Sequence, residues 1–173
     1  MNIGIIVGTN RLDAVSEKIA QYYSKALSAR NISNDLLYLK HLPKDFAFSA
    51  LYGEVNPEFH LIQEKFDTFD KIILIIPEYN GSFPGVLKTF IDALRHPNSF
   101  NRKKVALVGV SSGAYGNAVG LSHISDVLAY LNADVMGLRL KLANILKHFS
   151  NDVFSFEVYA NFVEKQIDAF LDF

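Results

Sequence analysis

Three short stretches gather residue types that can hold a ligand. Gly8-Thr9-Asn10-Arg11 follows the apolar run 3–7, and polar residues continue to Ser16. Pro77-Glu78-Tyr79-Asn80-Gly81-Ser82-Phe83-Pro84-Gly85 follows the apolar run 72–76. Ser111-Ser112-Gly113-Ala114-Tyr115-Gly116-Asn117 follows the apolar run 105–110. In the first stretch, Arg11 offers a charged fork that matches phosphate oxygens, and Thr9 and Ser16 offer hydroxyls. A helix starting near Ser16 would also aim its N–H groups and dipole at an anion. The same residues equally describe a solvated loop, with Ser16 as N-cap and Glu17 in the first turn. In the second, Pro77 lacks an N–H and suits the end of a strand, and Gly81 and Gly85 open backbone conformations closed to other residues. That composition also serves a plain turn into a helix. In the third, small residues let a flat ring approach the backbone, and Tyr115 can pack on such a ring.

Other chemistries find little support. The 173 residues include no cysteine, which removes disulfides, thiolate metal sites and cysteine nucleophiles. No histidine–carboxylate cluster suggests a metal site, and no Ser-His-Asp arrangement is evident. His123 stands alone in a helical pattern, where a histidine is more often structural or solvated than catalytic. The first loop lacks both G-x-G-x-x-G and G-K-[ST]. The formal net charge is -1, which signals neither nucleic acid nor an anionic membrane as partner. No apolar run approaches the ~20 residues that span a bilayer, and the start resembles no signal peptide, so a cytoplasmic location is expected.

The elements that must carry these loops follow from periodicity. Continuous apolar runs at 3–7, 72–76 and 105–110 read as buried strands, joined by shorter ones at 34–40 and 133–136. Apolar residues three and four apart predict helices from near Ser16, over 57–66, 84–94, 118–131 and 153–173. Pro57 suits the first turn of its helix. Segment 41–56 shows no clear period; its aromatics Phe46, Phe48 and Tyr52 fold onto the core or form a lid or subunit contact. Alternating strands and helices over residues 1–173 indicate one domain with a five-stranded parallel sheet and helices on both faces. The three loops follow strands one, three and four, so they should meet at one sheet edge.

The second stretch, continued as Val86-Leu87-Lys88-Thr89-Phe90-Ile91-Asp92, resembles the signature loop of the NAD(P)H-dependent FMN reductase family, which includes azoreductase-like and quinone-reductase-like members. The first loop resembles that family's phosphate loop at Gly8, Thr9, Arg11 and Ser16. Ala14 and Lys18 depart from it, where relatives carry serine and asparagine. The third resembles its S-x-G-x-x-G-G loop, with Asn117 in place of the last glycine; Asn117 is expected to cap the next helix. Thr89 and Ala93 depart within the helix and bear on packing.

The resemblance implies a flavodoxin-like three-layer α/β/α sandwich with strand order 2-1-3-4-5. It implies FMN as cofactor and NADPH or NADH as donor. Thr9, Arg11 and Ser16 would hold the phosphate, Pro77, Glu78, Tyr79, Asn80 and Gly81 the ring, and Ser112, Gly113, Tyr115 and Gly116 its other side. Asn80 and Tyr115 are the candidates to flank the ring. The flavin would carry the chemistry, passing hydride to a quinone, azo compound, flavin or similar small-molecule acceptor, so no catalytic side chain is required. A homodimer or homotetramer is implied, with the apolar face of helix 84–94 and segment 46–52 as candidate contacts. Arg95, His96 and Arg102 could meet a nucleotide phosphate or remain solvated. Two other readings stay open, a flavodoxin-like electron carrier and a protein of this fold that has lost flavin.

Overall fold

The computed structural model describes residues 1–51 and 56–173. Tyr52 and Gly53, which the sequence groups with the aromatic segment, lie outside the described residues. The chain alternates β1 (Asn2–Val7), α1 (Val15–Ala29), β2 (Ser33–Tyr38), the short α2 (Phe46–Ser49), α3 (Pro57–Asp67), β3 (Lys71–Pro77), α4 (Gly85–Ala93), β4 (Lys104–Val110) and α5 (Ala118–Tyr130). With β5 (Asp134–Val135) the parallel sheet has the order β2-β1-β3-β4-β5, which is the flavodoxin-like order. Along β3, Ile73 and Ile75 face one hydrophobic cluster, while Ile72, Leu74 and Ile76 face another. Both faces are therefore buried, which is why the strand reads as an unbroken apolar run rather than an alternating one. One cluster is closed by Ile19, Tyr23 and Leu27 of α1, the other by Leu87, Phe90 and Ile91 of α4 and Leu121, Ile124 and Leu128 of α5.

The fifth strand differs from expectation. Instead of one strand over 133–136, β5 (Asp134–Val135) pairs with the start of β4, and β6 (Leu140–Leu142) pairs with its end. Gln166 bridges the interruption. Its Nε2 donates to the Leu138 carbonyl, between the two pieces, and to the Leu107 carbonyl of β4, at 2.8 and 3.1 Å. Its Oε1 accepts the Tyr23 hydroxyl at 2.7 Å. The amide thus ties the broken edge, α1 and its own helix together, and no polar atom of that side chain is left orphaned.

After β6 come α6 (Ile145–His148), a hairpin of β7 (Phe149–Ser150) and β8 (Val153–Phe154), and α7 (Glu157–Asp172). The last helix begins at Glu157 rather than near 153, because the hairpin takes up Val153 and Phe154. Val163, Ile167 and Phe170 bury against the sheet. Arg30, at the end of α1, pairs with both Glu164 and Asp168 of α7. Segment 41–51 splits its aromatics: Phe46 is buried and stacks with Phe59, while Phe48 is 90% exposed. The apolar face of α4, expected as a subunit contact, is spent on the chain's own core. No helix among the described residues is long and apolar enough to cross a membrane.

Candidate active site

At the carboxyl ends of β1, β3 and β4 the three polar loops converge on one cleft of about 210 Å³. Arg11, Ser16, Pro77, Glu78, Tyr79 and Ser112 line it. This is the edge where the strand order reverses between β1 and β3, the usual place for ligands in open α/β sheets. A larger groove of about 890 Å³ lies between α4 and α5. None of the three loops lines it.

The first loop leaves β1 through Gly8, whose N–H donates to the Ile75 carbonyl of β3. Thr9 is buried, and its hydroxyl accepts the Arg11 N–H at 3.1 Å. Asp13 adopts a left-handed backbone (φ 53°), and α1 begins two residues later. Ser16 is not the N-cap. Ala14 holds that position and offers no side-chain oxygen, so the first turn of α1 has no side-chain cap. Ser16, second in the helix, is 2% exposed, and its Oγ has no hydrogen-bond partner. A buried hydroxyl without a partner, beside uncapped helix N–H groups and a guanidinium, is a set of donors shaped for an anion. This arrangement fits a phosphate. Asp13 also lines the cleft and opposes an anion; Arg11 and the positive end of α1 offset it. Lys18 is exposed and lies outside the lining.

The second loop is a two-residue hairpin turn. Tyr79 and Ser82 exchange both backbone hydrogen bonds, at 2.9 and 3.0 Å, around Asn80 (φ 51°) and Gly81 (φ 74°). Asn-Gly is the pair that this left-handed geometry favours. The turn is therefore closed by its own backbone bonds, with Asn80 and Gly81 at an exposed tip away from the cleft lining. Tyr79 folds back so that its hydroxyl meets Thr9 Oγ1 at 2.8 Å. Beyond the turn, Ser82 Oγ lies 2.9 Å from His123 Nδ1 on α5, which gives the lone histidine a local partner on an exposed surface.

The third loop is organised by Ser111, a residue not singled out from sequence. Its hydroxyl donates to the Gly113 carbonyl and accepts the Gly116 N–H, both at 2.9 Å. Asn144 and Ile145 then clamp the loop from behind, their N–H groups donating to the carbonyls of Gly113 and Ser111. Ile145 and Leu146 complete the cleft wall. Nothing in their local sequence marks them; the split fifth strand delivers them. Ser112 lines the cleft, whereas Gly113, Tyr115 and Gly116 do not, and Tyr115 is 78% exposed. Asn117 occupies the N-cap position of α5, but its side chain makes no capping bond. Its side chain turns instead to β3. Arg95, considered as a phosphate contact, pairs with Asp67.

Residues 1–144 match the sequence profile of NADPH-dependent FMN reductases. The chain belongs to that family. Membership makes it an oxidoreductase working with FMN and NAD(P)H. It is similar to the 2-hydroxy-1,4-benzoquinone reductase of a Burkholderia species, 31% identical over 140 residues, covering 79% of this chain and 74% of the relative. It also resembles the FMN-dependent NADPH-azoreductase of Staphylococcus aureus, 28% identical over 131 residues, covering 73% of this chain and 69% of the relative. Among solved structures, the flavoenzyme NAD(P)H:(acceptor) oxidoreductase FerB of Paracoccus denitrificans superimposes with a TM-score of 0.80 at 25% identity, covering 99% of this chain and 95% of that one.

Proposed function

We propose that this chain passes reducing equivalents from NAD(P)H through FMN to a quinone or azo compound, with the cleft between the three loops as the flavin site. The observation that carries the reading is the buried, unpartnered Ser16 hydroxyl at the uncapped start of α1, beside Arg11. Ser16 Oγ, the first-turn N–H groups and Arg11 would hold the phosphate. Pro77, Glu78 and Tyr79 form the opposite wall, and Ser112, Ile145 and Leu146 close the third side. The hairpin turn and the Ser111 bonds hold both walls in place before anything binds, so little ordering entropy remains to be lost on binding. FMN, when bound, supplies the hydride chemistry. The residues position it, keep water from one side and present mostly neutral groups, which suits an uncharged planar acceptor. The quinone- and azo-reducing relatives support that acceptor class.

The test mixes the FMN-loaded protein anaerobically with NADPH and, separately, with NADH. Bleaching of the oxidised flavin band with at least one donor is expected, followed by its return on adding benzoquinone or an azo dye. Persistence of oxidised flavin with both donors would overturn the reading. Steady turnover with NAD(P)H as the only donor separates this enzyme from a carrier that needs a protein partner.

A further inference from the structure

Asn117 is fully buried and sits in a left-handed conformation, φ 60° and ψ 35°. That backbone geometry favours glycine and tolerates asparagine. A glycine would satisfy the backbone, yet the asparagine side chain makes contacts a glycine cannot. Its Nδ2 donates to the carbonyls of Ile76 and Pro77, both at 3.1 Å, at the end of β3. Its backbone N–H donates to Glu78 Oε2, also at 3.1 Å. One residue at the start of α5 therefore grips three consecutive residues at the root of the second loop. The acceptors are two backbone carbonyls, which fixes the amide's orientation with nitrogen toward β3. Its Oδ1 is buried without a partner and faces Gly120.

Gly120 is the other half of the arrangement. A Cβ there would lie 2.1 Å from Asn117 Oδ1 and 2.7 Å from the Ser82 carbonyl carbon. Only glycine lets the asparagine side chain and the far end of the same loop share the first turn of α5. The loop is thus held at its root by Asn117 and pressed close to the helix at Ser82, with the Asn80-Gly81 tip between. The unmet Oδ1 costs free energy in the folded chain, and the two donated bonds offset it.

We propose that Asn117 is a positioning residue for the cleft, fixing the Pro77–Tyr79 wall against the third loop and thereby setting the affinity for FMN. The proposal rests on the flavin reading of the site. The test uses full-length wild type and Asn117→Gly, which suits the left-handed backbone and removes the side chain with its amide. In flavin-free protein, the N–H groups of Glu78, Tyr79 and Ser82 are expected to exchange about tenfold or more faster in the variant, with β1 and β2 unchanged. FMN dissociation constants from fluorescence quenching should rise about tenfold, while KM for NAD(P)H at saturating FMN stays within about twofold. Unchanged exchange at those three amides would overturn the proposal. So would faster exchange with unchanged FMN affinity, which would reduce Asn117 to a structural brace. If Asn117→Gly fails to fold, the wild type still decides: a side-chain amide of Asn117 exchanging as fast as free asparagine rules the grip out. Failure of wild type to bind FMN would sink the functional reading, while the exchange data would still report on the loop.

Discussion

The hydroxyls of Thr9 and Tyr79 lie 2.8 Å apart, joining the first loop to the second across seventy positions of sequence. Thr9 is buried and also accepts the Arg11 N–H, so water cannot readily replace it. Thr9→Val keeps the shape and removes both contacts. The expected result is an FMN dissociation constant raised about five- to thirtyfold, from roughly 1–2 kcal/mol of lost and orphaned hydrogen bonding. Tyr79→Phe should do less, because Tyr79 is only half-buried and Thr9 retains Arg11. Fluorescence titration of the two variants checks the order; a larger effect for Tyr79→Phe would show that the phenol, not the threonine, carries the link.

Ser16→Ala separates a ligand-binding hydroxyl from a structural one by the sign of two effects. In the flavin-free chain, Ser16 Oγ has no partner to lose, and removing a buried unsatisfied hydroxyl should leave stability unchanged or slightly higher. Toward FMN, the same change should cost one hydrogen bond to a charged phosphate, about tenfold or more in affinity. Thermal melts with and without FMN measure both at once. A flavin-free variant that melts well below wild type would show that the hydroxyl already serves the fold.

Gly116 was legible as part of a cofactor loop, but the structure gives it a packing duty. Its φ is 57°, and a Cβ there would lie 2.6–2.8 Å from the backbone and side-chain base of Lys141 on β6. Its carbonyl oxygen in turn leaves no room for a Cβ on Gly109 of β4, at 2.1 Å. Gly116→Ala combines a left-handed strain with a backbone collision, so a destabilisation of about 2 kcal/mol or more is expected. Urea unfolding followed by circular dichroism checks it. A change under about 0.5 kcal/mol would mean that β6 moves aside freely.

What the sequence carried and what it hid have physical reasons. The buried strands were legible because a sheet covered on both faces needs continuous apolar runs, as in Ile72–Ile76. The Asn80-Gly81 turn is written in residue types that tolerate positive φ. The convergence of the loops follows from strand order. The divided fifth strand was not legible, since pieces of two and three residues, β5 and β6, are too short to show a period. Ile145 and Leu146 were hidden with it. Residue type puts Asn117 at the start of α5 as its cap, but the carbonyls its side chain meets lie about forty positions earlier, beyond any local pattern. Residue type makes Ser16 a candidate N-cap, but Ala14 holds that position, and an alanine there leaves the first turn without a side-chain cap.

Tyr23 gives the fold a pH signature. It is fully buried, and burial first, then the nearby Glu164 charge, push its phenol well above the ordinary value of 10.0. The unfolded chain releases that proton near pH 10 while the folded chain keeps it. Above pH 10 the unfolded state thus binds fewer protons, so the stability that Tyr23 contributes is complete below pH 10 and is lost as pH rises beyond it. Tyr23→Phe removes the titration and leaves Gln166 Oε1 without its donor, costing about 1–3 kcal/mol at neutral pH. Lys71 and Lys103, both lowered by burial, act in the opposite sense just below 10.5, so the difference between wild type and variant is the quantity to follow. Urea unfolding at intervals from pH 7 to 11.5 should show that difference flat to about pH 10 and then shrinking by about 1.4 kcal/mol per pH unit. A difference that stays constant through pH 11.5 would mean that Tyr23 ionises in the folded chain as readily as in the unfolded one, and that its bond to Gln166 opens to solvent.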